Sequence, residues 1–442
     1  MKKQKPEIFD RQSFLTLQEL DPTSLARNEY ELPATAANFA LNSLGAPHRN
    51  AERYCEIFFE HWKVHQVEGH FEPMIGIGAN PTGYANFREM FREFAVRLLG
   101  AKNESETAIV NDQSTTYSLL LRWLLEDQLN KSRNVVLYEE SAFPSDRQII
   151  QTISEIVTQY TRENEWNTRK PVCIKMPETP DGLLDHKELL ELIKKHKDTL
   201  AVVAFGSGGV HWKTAQLLDL QAIGTSVKNA GGKLLVNAAH AIGIAELNLH
   251  ENHVSAAVGC LYKFMSAGPG GPSLVFIHED ECTTFLPTVG WFSFENPIAA
   301  LQGKHPSLKT GAQRIEASNP QVLGWLPAFA ALEYYCSIPQ EQIWKKSALM
   351  LTYFDELMES IQDAFHKPIK VITPKGQRST EIVFTTENSA LAPELHTYLN
   401  KNKIICDIRD GNRIRIGMFP LITSFEEINM LFNAMWNFFE EK

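Results

Sequence analysis

The sequence predicts an α/β protein: a large domain built on a mostly parallel sheet covered by helices, then a smaller α+β domain. Three observations carry that prediction. Short, largely apolar runs alternate with runs of helical period between Thr107 and Ile277. The short runs lack the polar alternation of a half-exposed strand, as expected for strands buried on both faces. Beyond about residue 320 the rhythm changes to two consecutive helices followed by mixed strands and helices.

The elements follow in order. The first 45 or so residues read as irregular and arm-like. Arg49–Val67 is helical, with Tyr54, Ile57, Phe58 and Trp62 on one face. Strands are expected at Thr107–Val110, Asn134–Tyr138, Val172–Met176, Leu200–Phe205, Leu234–Val236, Ala256–Cys260 and Ser273–Ile277. Between them lie helices at Ser114–Leu129, at Pro144–Ile156 (opened by a first-turn proline), at Leu184–His196 and at Ala215–Ala230, the last stopped by Gly231-Gly232. The second region predicts helices Val322–Tyr335 and Ile343–Gln362 and strands Ile369–Ile372 and Glu381–Phe384. Helix Pro393–Asn400, strands Ile404–Ile408 and Arg413–Gly417, and helix Phe425–Glu440 complete it; Ser424 and Glu427 have capping-box spacing. The expected division is 1–60 (arm and first helix), 61–320 (large domain) and 321–442 (small domain).

Composition narrows the function. The 442 residues carry a net charge of −10, which disfavours nucleic acid or an anionic membrane as the main partner. No run of 18 apolar residues suggests a membrane span, and the polar stretch Met1–Gln12, with Lys2, Lys3 and Lys5, has no apolar region typical of a signal peptide. The six cysteines are scattered singly without metal-ligand spacing, so they read as reduced thiols of a cytoplasmic protein, and no metal site is expected.

Lys263 stands out. It follows the apolar run Val254–Leu261 and precedes Gly268, Gly270 and Gly271. An exposed strand-end lysine is the plain reading. The alternative is an amine kept desolvated for covalent chemistry, with glycines letting the backbone approach closely. Gln113 and Ser114 lie where a strand meets a helix N-terminus, a place suited to a phosphate, although Ser114 could equally be a simple N-cap. His240 could be a satisfied core histidine or face a ligand, and Phe143 and Trp291 would ordinarily be assigned to the core.

Several short segments stand in a fixed order: Asn42-Ser-Leu-Gly45, Ala142-Phe-Pro-Ser-Asp146, Gly209-Val-His211, His240-Ala-Ile-Gly243, Tyr262-Lys263, Gly290-Trp-Phe292, Ser318-Asn-Pro320, and Ile414-Arg415 ahead of Pro420-Leu421. Together they resemble the kynureninase family of class-V-type, fold-type-I pyridoxal-phosphate enzymes. The resemblance implies a seven-stranded-type sheet, pyridoxal 5'-phosphate as cofactor, and a homodimer with shared active sites. It implies that Lys263 holds the cofactor and, with Tyr262, moves protons. Phe143 would stack on the ring; Gln113, Ser114 and Tyr262 would hold the phosphate; His240 would face the ring oxygen. Trp291 and Asn319 would arrive from the partner subunit, and Arg415 would fork onto the substrate carboxylate, leaving Arg413 as a surface charge. His70 or His65, with Phe292 and Phe294, would line the aromatic end of the substrate pocket.

Two departures bear on function. The family has an aspartate at the place of Asn237, where a carboxylate keeps the ring nitrogen protonated; Asp146 resembles a second carboxylate at that edge. Phe294 replaces a histidine of some members that prefer 3-hydroxykynurenine, and Gly208 and Lys213 also differ from the usual surroundings. The implied activity is hydrolysis of the Cβ–Cγ bond of L-kynurenine or 3-hydroxykynurenine to an anthranilate and L-alanine. Asn237 keeps open another fold-type-I activity (aminotransferase, lyase, epimerase or oxidase), or a weakly active cofactor-binding homologue.

Overall fold

The computed structural model describes residues 5, 16–17, 19–33, 37–163, 170–281 and 288–442. Lys2, Lys3 and Cys282 lie outside the described residues.

The first ordered pairing is made by β1 (Ala37–Asn38). Seven strands then build the main sheet: β2 (Thr107–Val110), β3 (Val135–Tyr138), β4 (Val172–Lys175), β5 (Leu200–Phe205), β6 (Lys233–Asn237), β7 (Ala256–Cys260) and β8 (Ser273–Ile277). Their order is β2-β8-β7-β6-β5-β3-β4. Pairing is parallel from β4 to β7, whereas β8 runs antiparallel to both β7 and β2. The expected mostly parallel sheet is therefore present.

Side-chain alternation explains why its strands are apolar throughout. Val136, Tyr138, Val202, Ala204, Leu235 and Val258 pack on one face, with Tyr117, Leu121 and Leu124 of helix Gln113–Asn130. Val135, Leu137, Val203, Phe205, Leu234 and Val236 pack on the other, with Leu189 and Ile193 of helix His186–Lys195 and Ile223 and Val227 of helix Leu220–Asn229. Each such fully buried aliphatic side chain stabilises the fold by about 1.5–3 kcal/mol. The edge strand β4 departs from this, since Val172 is half exposed.

Residues 350 onward enclose a separate core around a second sheet, ordered β12-β13-β10-β9 and antiparallel throughout. Its strands are β9 (Ile369–Val371), β10 (Glu381–Thr386), β12 (Asp407–Arg409) and β13 (Arg413–Gly417). The run expected as one strand at Ile404–Ile408 is split. Its first half, β11 (Ile404–Ile405), pairs in parallel with β1, and its second half becomes β12. The N-terminal segment is thereby fastened to the second unit, and Gly417 N–H donates to Phe39 O at 2.7 Å. Helix Val322–Ser337, by contrast, lays Trp325, Leu326 and Phe329 into the core that it shares with helix Asn50–His65 and the main sheet.

One predicted helix is shortened. Ala215–Ala230 forms helix only over Leu220–Asn229, because Ala215 has φ 53° and Asp219 caps the helix by accepting from Ala222 N.

Candidate active site

The C-terminal ends of β2, β3, β5, β6 and β7 meet at one edge of the main sheet, where open α/β sheets bind ligands. A cavity of about 220 Å³ lies there. Its lining includes Gln113, Ser114, Phe143, Asp146, Gly206, Asn237, His240, Tyr262 and Lys263. Eight of the residues singled out in the sequence are thus brought together from segments far apart in the chain.

Lys263 follows β7 in a tight turn. Gly271 permits that turn, since a Cβ there would sit 2.8 Å from Ala267 O. Gly268 and Gly270 are needed instead for their left-handed φ of 76° and 73°; a Cβ at Gly270 would meet nothing within 4 Å. Gly45 completes the support: its N–H donates to Tyr262 O at 2.9 Å, and a Cβ on it would collide with Lys263 O. The Lys263 amine is 5.0 Å from the Tyr262 ring centroid. Desolvation lowers its pKa, and the Arg415 charge pushes the same way.

Helix Gln113–Asn130 presents its N-terminus to the cavity. Its cap is Asp112, which accepts from Thr115 N at 2.8 Å, so Ser114 is not the N-cap. Ser114 is exposed in the first turn, where backbone donors are unsatisfied. The Gln113 side chain is already engaged, its Oε1 accepting from Cys260 N at 2.7 Å. Phe143 is half exposed and meets Trp212 edge-on at 5.5 Å.

Asp146 is buried, and burial raises its pKa to about 7 despite the Asn237 hydrogen bond and the Lys263 charge. Asn237 Nδ2 donates to Asp146 Oδ2 at 2.9 Å, while Asn237 Oδ1 accepts from Ala239 N at 3.0 Å. Both ends of the amide are therefore engaged by the protein.

Arg415 does not line the cavity, although its charge is felt at Lys263. It is buried in the second sheet, where Nη1 donates to Trp212 O and Nη2 to Asp407 Oδ2, each at 2.6 Å. Its Nε is buried without a hydrogen-bond partner. The sheet register explains the cluster: Asp407 lies opposite Arg415 on β12 and β13, and Glu381 is its diagonal neighbour on β10. Arg409 donates to the same Asp407 oxygen at 3.0 Å and lies over the Trp212 ring at 5.7 Å.

The remaining predicted residues lie elsewhere in this chain. His70 and Asn319 share a groove of about 420 Å³ with Phe58, Trp62 and Tyr84, and His65 is not in its lining. His70 Nδ1 lies 3.0 Å from Val67 O. Trp291 packs on the buried Phe292 at 4.3 Å, and Phe294 bridges to Leu308; none of the three lines the Lys263 cavity. Arg413 is held by Asp181 O at 2.8 Å.

Residues 343–435, which contain Glu381, Asp407 and Arg415, match the kynureninase C-terminal domain family. A kynureninase from Myxococcus xanthus is 29% identical over 88% of this chain and 86% of its own. The Homo sapiens kynureninase is 29% identical over 95% of this chain and 87% of its own. The chain is thus similar to kynureninases over most of its length, and its C-terminal part matches their C-terminal domain family. Among solved structures, C-DES with glycine covalently linked to its PLP cofactor superposes on the fold seen here. Its TM-score is 0.73 at 17% identity, covering 93% of this chain and 99% of that one. The apo cysteine desulfurase from Thermococcus onnurineus gives a TM-score of 0.70 at 15% identity over 94% and 98% of the two chains. At such identities these two structures establish the fold-type-I architecture alone.

Sequence reasoning passed over Glu381, Asp407, Arg409 and Trp212. The signal was present in the charged residues set among apolar ones in Glu381–Phe384 and Asp407–Gly417. Without the register of the strands, the shared face was not legible.

Proposed function

We propose that this chain hydrolyses the Cβ–Cγ bond of L-kynurenine or L-3-hydroxykynurenine, releasing an anthranilate and L-alanine, with pyridoxal 5'-phosphate as cofactor. The observation that carries the reading is the Lys263 amine. It is partly buried in a cavity that also holds a helix N-terminus, an exposed aromatic face and a buried carboxyl, and among the described residues it has no ion-pair partner. These features fit the cofactor: an amine to bond its aldehyde, backbone donors for its phosphate, Phe143 for its ring, and Asp146 for its ring nitrogen. The buried hydroxyl of Ser273, also in the lining, lacks a hydrogen-bond partner in the protein. Bound cofactor supplies an electron sink for a carbanion at the substrate Cα.

The chain's own residues do the rest. Lys263 would hold the cofactor through its amine and would move the substrate Cα proton. Tyr262 is the second proton carrier, its phenol kept protonated by burial and by the neighbouring Cys260. Arg415, fixed by Asp407 and Trp212 O and with its charge felt at Lys263, would take the substrate carboxylate with the guanidinium N–H groups that these partners leave free. Asn237 orients Asp146 through the 2.9 Å bond. Gln113 and Ser114 would hold the phosphate, and His240 would face the ring oxygen.

His70, Asn319, Trp291 and Phe294 act on the cavity of a second copy, in a homodimer with shared sites; the groove holding His70 and Asn319, away from Lys263 of the same chain, supports this. The enzyme works in the cytoplasm, in tryptophan breakdown. Its small domain starts after helix Val322–Ser337, later than the boundary near 320 expected from the sequence, because that helix packs in the large domain's core. Product analysis with the two kynurenines tests the activity: formation of the matching anthranilate together with alanine is expected, and turnover of neither rejects it. The saturated amide of Asn237 favours one second reading, a fold-type-I enzyme with a weaker electron sink acting on another amino acid. A panel of amino acids scanned for spectral change of the bound cofactor separates the two.

A further inference from the structure

Glu381 is wholly buried on β10, far in sequence from every cavity residue. A buried carboxylate is costly unless its oxygens are satisfied and its charge is paired. Here Oε2 lies 3.0 Å from His240 Nδ1, Oε1 accepts from Asn42 Nδ2 at 3.3 Å, and Arg415 Nη1 is 3.6 Å from Oε1. Asn42 reaches it because residue 417 is glycine; a Cβ there would sit 2.9 Å from Asn42 Cβ. Burial opposes the charge, but the hydrogen bonds from His240 and Asn42 and the Arg415 cation outweigh it, and the Glu381 carboxyl lies below its ordinary pKa. Near neutral pH it is therefore an acceptor only.

Burial pushes the other way on His240, lowering its pKa to about 4. The charged or titratable groups around the ring are Glu381, which favours the cation, and Lys263, Arg415 and His211, which oppose it. The ring is neutral at pH 7, so one nitrogen carries hydrogen and the other a lone pair. An ionised carboxylate 3.0 Å from Nδ1 requires that hydrogen to be on Nδ1.

We propose that Glu381 is a positioning residue which holds His240 as the Nδ1–H tautomer, making its Nε2 a hydrogen-bond acceptor in the Lys263 cavity. The inference rests on the proposed function for the identity of the bound group, but the tautomer itself does not. The cavity then selects, opposite His240, a hydroxyl that can donate over a group that only accepts. Nε2 accepts a hydrogen bond from that hydroxyl without taking its proton, since burial, Lys263 and Arg415 disfavour the imidazolium. The same carboxylate stands beside Arg415, so one buried charge on the second sheet supports groups for both the cofactor and the substrate.

The test is nitrogen NMR of the cofactor-free protein with labelled histidine, the His240 signals being assigned by their loss in His240→Gln. The expected result near neutral pH is protonated Nδ1 and unprotonated Nε2. Hydrogen on Nε2, or on both nitrogens, overturns the proposal. In Glu381→Gln the amide oxygen still accepts, so the tautomer should persist, while His240 takes up a proton at lower pH than in the parent protein. An unmoved His240 titration also overturns it. Glu381→Leu should lose the fixed tautomer; if that variant does not fold, the Glu381→Gln shift carries the test. Absence of anthranilate formation with the tautomer intact would sink the proposed function and leave the role of Glu381 standing.

Discussion

Asn237 and Asp146 act as one unit, and changing the first tests both. In Asn237→Asp, a second carboxyl replaces the amide that donates to Asp146 at 2.9 Å. Two buried carboxyls at that distance share a proton unless a cation lies against them. A protonated ring nitrogen is such a cation, so the variant should bind cofactor more tightly and be less stable without it. A charge-assisted bond of roughly 1.5–3 kcal/mol, felt at the transition state, raises kcat by on the order of 10-fold or more. Cofactor titration, thermal unfolding with and without cofactor, and kcat on kynurenine read this out; unchanged affinity and rate would mean that residue 237 does not face the ring. Arg415→Lys tests the other end of the site. Lysine replaces a fork that spans Trp212 O and Asp407 with one mobile ammonium, so KM for the substrate should rise about 10- to 150-fold, one charge-assisted bond. Cofactor affinity should hold, because the residue lies outside the cavity lining, and an unchanged KM rejects the carboxylate role. Lys263 and His240 could be singled out from the sequence because each follows an apolar strand-like run, and Asp146 only through the family resemblance of the segment Ala142–Asp146. Glu381 could not, since its meaning depends on β10 lying beside β13 and on Asn42 crossing over Gly417.

At the scale of elements, the sequence was legible wherever one local signal set both ends of a segment. Helix Phe425–Glu441 is such a case: Ser424 Oγ accepts from Glu427 N at 3.1 Å, and Glu427 Oε2 accepts from Ser424 N at 2.9 Å. Glu427 also takes Arg27 Nη1 at 2.6 Å, so the cap joins the N-terminal segment to the last helix. Ser424→Ala removes one donor–acceptor pair and frees Glu427 from the box. The expected loss is about 1 kcal/mol, measured as a lower midpoint in chemical denaturation with the slope unchanged. Where two signals competed, the boundary was misplaced. Helical period began the fifth predicted helix at Ala215, but β-type bridges from Val210 to Leu217 and from Gln216 to Arg378 hold that stretch, and Asp219 starts the helix. The strand at Ile404–Ile408 was divided by tertiary pairing alone, half to β1 and half to β13, which no local pattern encodes.

The whole molecule raises the question of how His70 and Asn319 could serve a site that they do not line. Their groove is bordered by Trp62, which is 54% exposed, with Phe59, Val67, Phe71 and Ile75 also exposed nearby. So many exposed large apolar side chains within one short stretch of the chain are typical of a covered face. In a closed dimer with two-fold symmetry, each subunit would offer this surface to its partner, and both cavities would be completed at once. Complementation separates that arrangement from a self-sufficient subunit. Lys263→Ala should be inactive because it lacks the covalent amine, and Asn319→Ala should be weak because it fails its partner. If the two act in different subunits, a mixed dimer holds one cavity carrying both lesions and one carrying neither. Random reassortment makes half the dimers mixed, each with one intact site, so about a quarter of parental activity should return on mixing. Recovery should require conditions that let subunits exchange, and sedimentation should show a dimer throughout. Mixing without recovery, where exchange is demonstrated by differently tagged chains, would place Asn319 in the cavity of its own chain or outside the reaction.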